Sequence, residues 1–531
     1  MPCHLADLAG VPAAAEIHYS RDHARWPERI GLMDSAYDQF PAPVYAAAVL
    51  APDLAIYKAH FSAPLHAINL AHGVMLAEKG LLKAADSAAI LSALLEIDRE
   101  RPWAEQEFDG SFEDLFFLIE QELGRRIGAE RAGKLHTGRS RNDLEHTMFR
   151  MQLRDKLLQL LSLYSDLAEK MLARAEAGRQ ETILVYTHGQ PAQVSVMGHY
   201  LGAAIEFVLR DMGRILAALQ EVDLCPMGAA AITTSGFQLD RGRVAELLGF
   251  SGIVENSYGA IANVDYITAS YAAIRLGCIH LGRLVQDLVT WTGFEVAQIK
   301  VPDGLVQISS IMPQKRNPVP LEHLRLKLSL AGGSAEQIVQ TMHNTPFADM
   351  NDSERETQAT GFAVFERLGH TLPLLGGFIE AMQTNQPSIE ERIEKSMATI
   401  TELADTLVRD EDISFRAAHH IASKLAAEAL QQKIRLSDLP FDLFKTLFEK
   451  QLGRPARITP DSLKKAVSPA HFVAVRDMPG GPAPAALEKS LQGYRSWLGR
   501  LQDEIGAIDQ RIGQADKDRQ AAVASLIKKG S

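Results

Sequence analysis

The chain has 531 residues, enough for two to four domains and a large buried core. Hydrophobic residues make up 46% and charged residues 23%, ordinary values for a globular protein, and the net charge is -11. That acid excess argues against a nucleic-acid partner, since neutralising phosphates takes clustered Lys and Arg, but it leaves room for a small acidic ligand held by a few local arginines.

The first 40 or so residues are mixed in character, are expected to be partly mobile, and show no basic-then-apolar leader, so no signal peptide is read. Residues 43–135 read as shorter helices: KAHFSAPLHAINLAHGVMLAEKGLL, SAAILSALLEIDRE and SFEDLFFLIEQELGRRIG. In MQLRDKLLQLLSLYSDLAEKMLARAEAG, residues Leu153, Leu157, Leu160, Leu161, Tyr164, Leu167 and Met171 recur at three- and four-residue spacing, giving one apolar helix face. No Gly or Pro interrupts that segment before Gly178, so a helix of roughly 40 Å is expected. Long helical segments follow at about 192–222, 263–294, 320–344 and 355–384, and period-two strands are scarce. Five such helices predict an extended bundle. Beyond about 390, ATITELADTLVRDEDISFRAAHHIASKLAAEAL resumes as a smaller helical unit, MPGGPAPAALEK punctuates 478–489, and a charged helix is expected to end the chain. The predicted architecture is all-α in three helical domains: residues 1–135, a central bundle at 136–390 and a C-terminal unit with a charged tail at 391–531.

Three polar islands interrupt these helices. KLHTGRSRNDLEH, 134–146, crowds His136, Thr137, Arg139, Ser140, Arg141, Asn142 and Asp143 into eight positions at a helix start. Arginine forks beside free helical N–H groups suit a carboxylate; the same residues also read as a charged cap, with Ser140 or Asn142 capping. VYTHGQPAQ, 185–193, is expected to open a long helix and presents His188 beside Thr187, Gln190 and Gln193. A lone histidine there is more often structural than catalytic. QISSIMPQKRNPVPLEHLR, 307–325, reads as a proline-stiffened turn or as a mobile loop carrying Ser309, Lys315 and Asn317.

Other chemistries find little support. No GxGxxG follows a strand, and no Walker or HExxH motif occurs, so neither a nucleotide nor a metal is expected. Cys3, Cys225 and Cys278 are widely spaced, which argues against a disulfide framework and fits a reducing cytoplasm. His66 and His72 read as core or surface residues, and no apolar run reaches the roughly 18–20 residues that cross a membrane.

Together the islands resemble the aspartase/fumarase superfamily, most closely its argininosuccinate lyase branch. HTGRSRND is the hallmark of that branch, YTHGQPAQ resembles its second segment, and SSIMPQKRNP resembles the superfamily signature on a mobile serine loop. Supporting stretches lie at 226–241, 256–266 and 402–421, and the likeness spans roughly residues 43–500. It implies cofactor-free elimination of fumarate from a substituted succinate. It implies further that Ser309 is the general base, that Lys315 and Asn317 bind the carboxylate, and that His188 pairs with Glu322. Ser140, Arg141, Asn142 and Thr187 match fumarate contacts, and Arg139 and Gln193 complete the candidate binding set.

These types fit the chemistry. The proton beside a carboxylate is weakly acidic, so fixed positive charge and donors must stabilise a dianionic aci-carboxylate. A serine is too basic to ionise freely, and its activation must come from backbone donors and cations after loop closure. A carboxylate on one imidazole nitrogen fixes the tautomer. The resemblance also implies a homotetramer with a 20-helix core and four composite sites, each assembled from three subunits.

Several positions depart from the branch. Its acidic-Ile-His-Thr-Ala-Asn stretch is EDLFFLIEQ here, which puts Phe116 at the histidine. Its Tyr-Asn-Lys-Asp-Leu-Gln segment aligns with DMNDSE, placing Asp349 at the tyrosine and Glu354 at the glutamine. Ile308 replaces the glycine before the paired serines, and Val264 replaces an arginine. The catalytic half is kept and the leaving-group half rewritten, so the expectation is a fumarate-releasing carbon–nitrogen lyase whose amine differs from arginine. Asp349 and Glu354 suit a cationic amine or diamine, Phe116 would narrow or dry the pocket, and lyases acting on ethylenediamine-N,N'-disuccinate (EDDS) are the first relatives to consider. The alternatives are an authentic argininosuccinate lyase, a fumarase- or aspartase-like enzyme, and a non-catalytic crystallin-like homologue.

Overall fold

The structure is a computed structural model and describes Tyr37 and residues 40–530. Cys3 and nearly all of the N-terminal stretch expected to be mobile lie outside the described residues. The fold is all-α, with a few two-stranded ladders between helices. Among the described residues no helix is long and apolar enough to cross a membrane.

The N-terminal helices are α1 (Ser62–Glu78), α2 (Ala84–Glu100) and α3 (Leu115–Ile127). The bundle follows as α4 (Arg141–Ala177), α5 (Met197–Val222), α6 (Asp265–Thr292), α7 (Val319–Thr341) and α8 (Arg355–Ala381). Each bundle helix packs on two others, closing a ring in the order α4, α5, α6, α7, α8 and back to α4. The apolar face read from Leu153 to Met171 is buried throughout. α4 is longer than the sequence suggests. A capping box starts it at Ser140, with Ser140 N donating to Asp143, and its 37 residues span about 55 Å.

The second island does not open a helix. Thr182–Thr187 and Gln190–Val196 form an antiparallel hairpin, β1 and β2, and α5 starts only at Met197. His188 and Gly189 form the two-residue turn with φ of +53° and +73°, the pair of positive values that a primed turn needs to match strand twist. The β-branched residues Thr182, Ile183, Val185, Thr187, Val194 and Val196 favour strands, a signal that the helical reading overlooked.

C-terminal helices α9 (Ile400–Glu411), α10 (Phe415–Gln431) and α11 (Phe441–Leu452) share a core of their own around Leu407, Leu425, Phe444 and Phe448. The last helix, α12 (Pro484–Gly530), is not a free charged tail. Leu487, Leu491, Leu498 and Leu501 enter the bundle core and Val523 enters the N-terminal core. Spacings of four, seven and three residues give it one buried stripe beneath a charged exterior.

Two glycines let tyrosine rings cross the bundle interior: a methyl at Gly277 would strike the Tyr164 hydroxyl, and one at Gly361 the Tyr271 hydroxyl. Gly361→Ala should lower stability by roughly 1–3 kcal/mol. Gly369→Ala on the same helix meets open space and should be neutral or mildly stabilising. Thermal melting of the two variants side by side checks this.

Candidate active site

The N-terminus of α4 faces the connection between α7 and α8, residues 342–354, across a cleft of about 460 Å³. Six carboxylates line it (Asp53, Glu113, Glu145, Asp349, Glu354 and Glu356) against two guanidinium groups, Arg141 and Arg355. Ser140 caps α4, and its Oγ donates to Asn142 Oδ1 at 2.7 Å. Asn142 Nδ2 in turn donates to Asp349 Oδ2, while His146 Nε2 meets Asp349 Oδ1 at 3.1 Å. Arg141 points into the cleft but is already engaged by Glu113 at 3.0 Å and Asp114 at 2.9 Å, with Phe117 beneath it. Arg355 bonds Glu145 and reaches Asp53 at 3.4 Å. Burial drives the Glu145 carboxyl above its ordinary range, with Arg355 opposing. Burial also raises Glu354.

Not every predicted residue reaches this cleft. Arg139 precedes the helix cap, where the chain turns its side chain into the core. It donates to Asn69 Oδ1 at 2.7 Å beside the Phe116 ring, and burial lowers its pKa to about 10. Phe116 is buried with it, against His136, so it does not narrow the cleft.

The remaining candidates sit elsewhere. Thr187, His188 and Gln193 are exposed around the hairpin turn. The serine loop is closed by a two-rung ladder pairing Gln307 with Asn317 and Ile308 with Arg316. Ser309 Oγ accepts from the backbone N–H groups of Ile311 at 3.3 Å and Met312 at 3.0 Å. Asn317 Nδ2 donates to Gln307 O at 3.1 Å, Lys315 is exposed, and Glu322 lies exposed in the first turn of α7. Among the described residues no hydrogen bond joins His188 to Glu322.

The candidate residues thus fall into two groups at opposite ends of the bundle. Arg174, near the end of α4, donates to Met382 O, and Gln298 accepts from Leu184 N in the hairpin strand. Ile299–Lys300, just before the serine loop, pairs with Gln383–Thr384. Those contacts put the hairpin and the base of the serine loop near the end of α4 opposite Arg141. Glu113, Glu145, His146 and Arg355 were not among the predicted site residues. For Glu145 and His146 a signal was present in α4, where both are ionisable yet occupy buried positions.

Known proteins share the sequence and the fold of this chain. A family profile described as lyase matches residues 66–333, and one described as argininosuccinate lyase C-terminal matches 397–474. Argininosuccinate lyase 2 of Agrobacterium fabrum is 49% identical over 88% of this chain and 92% of its own length. Argininosuccinate lyase of Methanocaldococcus jannaschii is 31% identical over 84% and 90%. The crystal structure of EDDS lyase in complex with formate superposes with a TM-score of 0.79 at 28% identity, covering 92% of this chain and 95% of that one. The chain belongs to the aspartase/fumarase superfamily, in its argininosuccinate lyase branch.

Asp143 ties the first island to the strained segment 226–234. Its Oδ2 accepts from Gly228 N at 2.8 Å and Ala230 N at 2.9 Å, while Ala230, Ile232 and Thr234 all have positive φ. Burial outweighs these donors and raises its pKa to about 6. A raised carboxyl makes the fold bind more protons than the unfolded chain between about pH 4 and 6, so this group's contribution to stability falls as pH rises through that window. The two-unit shift corresponds to on the order of 3 kcal/mol. Relative to Asp143→Asn, the wild type should lose stability between pH 4 and 6, as read from denaturant midpoints at each pH.

Proposed function

We propose that the amine which this carbon–nitrogen lyase releases together with fumarate is an aliphatic cation such as a diamine, and that arginine is not its preferred leaving group. The observation that carries this is the cleft at α4, where six carboxylates face two guanidinium groups that are both already paired. Asp349, where relatives of the branch keep a tyrosine, projects its carboxylate into that cleft next to Asn142. The likeness to EDDS lyase, a relative whose name denotes a diamine disuccinate, supports the same reading. A second reading, release of arginine, is favoured by the 49% identity to argininosuccinate lyase 2, and a guanidinium would also suit carboxylates.

In the proposed reaction Ser309 Oγ takes the proton from the carbon beside the succinyl carboxylate. The two N–H groups already aimed at Oγ stabilise its anion. Lys315 and Asn317 hold the resulting aci-carboxylate, with Ser140, Asn142, Arg141 and Thr187 on the other carboxylate. The C–N bond then breaks and its electron pair leaves on nitrogen, with His188 and Glu322 holding the amine or relaying its proton. Gln193 borders the hairpin side, and Glu354 adds negative charge on the amine side.

These groups stand a helix length apart in one chain, so the complete site needs more than one copy, and the assembly proposed is a homotetramer with composite sites. Exposed apolar side chains on the outer faces of α6 (Leu276, Ile279) and α7 (Leu326, Leu330) supply surface for it. No cofactor enters the scheme, and the cytoplasm is its proposed setting.

Fumarate consumption, followed by absorbance with excess fumarate against arginine, ethylenediamine and longer diamines, tests the amine. A diamine should add faster than arginine; addition to arginine at a comparable rate would favour the second reading. Ser309→Ala should cut turnover by about 10²–10⁴-fold without changing the oligomer. Inactive Ser309→Ala and Asn142→Ala chains, refolded together, should regain activity that neither shows alone. If mixtures stay inactive, the composite arrangement is wrong.

A further inference from the structure

We propose that His146 is a positioning residue for the departing amine: it fixes the Asp349 carboxylate so that this group meets the alkylammonium beside the succinyl carbon. The proposal rests on the cationic-amine reading above and names the residue that makes the subsite work.

Asp349 needs holding. It lies in the connection between α7 and α8, preceding the short 3-10 turn Asn351–Ser353, and no regular helix fixes its side chain. Its two oxygens are instead gripped from α4, one by Asn142 and one by His146. Residues four apart on a helix share a face, so α4 presents both donors together. His146 is 1% exposed and packs edge-on to Phe149, so its ring cannot swing with the loop. Its Nδ1 is buried without a partner. That arrangement suits a ring carrying its proton on Nε2, because an unpaired lone pair is less costly to bury than an unpaired N–H.

The choice of donor decides what Asp349 can do. Glu113 and Asp114 are met by Arg141, and Glu145 and Asp53 by Arg355, so their charges are largely cancelled. Asp349 is held by an amide and an imidazole, which orient a carboxylate without a permanent opposing charge. Each oxygen keeps a further acceptor position for a ligand N–H. Asn142 also links Asp349 to Ser140, so the carboxylate borders the residues proposed to hold fumarate. A protonated amine bound to the succinyl carbon would therefore meet Asp349, with Glu354 and Glu356 adding negative charge in the same cleft.

The test compares KM for the amine and KM for fumarate in the addition direction, using the amine that the wild type prefers. His146→Leu should raise the amine KM about tenfold and leave the fumarate KM within about twofold. His146→Gln, which can still donate to Asp349, should recover most of the loss. Asp349→Asn should show the same selective rise, and adding His146→Leu to it should cost little more. A merely structural histidine would lower the melting temperature and kcat for every amine alike, with KM values unmoved. That pattern, or additive losses in the double variant, would overturn the proposal while the diamine reading stands. If arginine proves the preferred amine, the diamine reading fails, and the same KM split for arginine decides the role of His146 separately. A wild type that adds no amine to fumarate would remove both.

Discussion

The length of α4 governs everything else in this molecule. Thirty-seven residues without a glycine or proline make a rod of about 55 Å, with the carboxylate-lined cleft at its N-terminus and the hairpin just beyond its C-terminus. No side-chain motion closes such a gap. On the residue roles proposed above, a chain so built presents two half-sites and does not complete one, and the bundle ring makes the separation rigid because every long helix is clamped between two others. In the proposed assembly the apolar residues left on the outside of α6 and α7 would face other copies.

Charge placement at the α4 start follows from backbone geometry more than from residue type. Arg139 and Arg141 are two positions apart in one motif, yet one is buried against Phe116 and the other faces the cleft. Ser140 between them is the cap, the residue at which the chain leaves extended geometry for the helix, so its two neighbours project in different directions. The consequence is chemical. Arg139 becomes part of the scaffold, and Arg141 reaches the cleft only with Glu113 and Asp114 balancing its charge. A motif that looks strongly basic in the sequence thus opens onto a cleft dominated by acids.

The long helices were legible because their apolar residues repeat at helical spacing and because Gly and Pro mark the ends; α6, α7 and α8 fall within three residues of the predicted limits. The hairpin at 182–196 was not, because a polar motif splits its β-branched run and the following helix blurs the boundary. Asp349 and Glu354 were found by alignment with the branch, and the cleft contains both. Glu145, His146 and Arg355 were not, since their importance comes from contacts between α4 and α8 or the loop before it, more than 200 residues away along the chain. Ionisable side chains at buried positions of a helix were the one local clue. What they pair with is a property of the fold.

The serine loop brings these points together. Its tip aims two backbone N–H groups at Ser309 Oγ, the donors that the proposed serine base would use. What it lacks is a surface to close against. Ile308 is 80% exposed and Ile311 82%, two branched apolar side chains flanking the serine pair. Burying each stabilises a closed state by roughly 1.5–3 kcal/mol, enough to bias an otherwise balanced loop strongly. In the proposed lid, an isoleucine at 308 would let apolar contact share the work of closure with the substrate's carboxylate. That contact must come from another chain in the proposed assembly, because within this one the cleft lies at the far end of α4. In the proposed assembly, closure would draw on Ile308 and Ile311 while subunit contact would draw on the outer faces of α6 and α7.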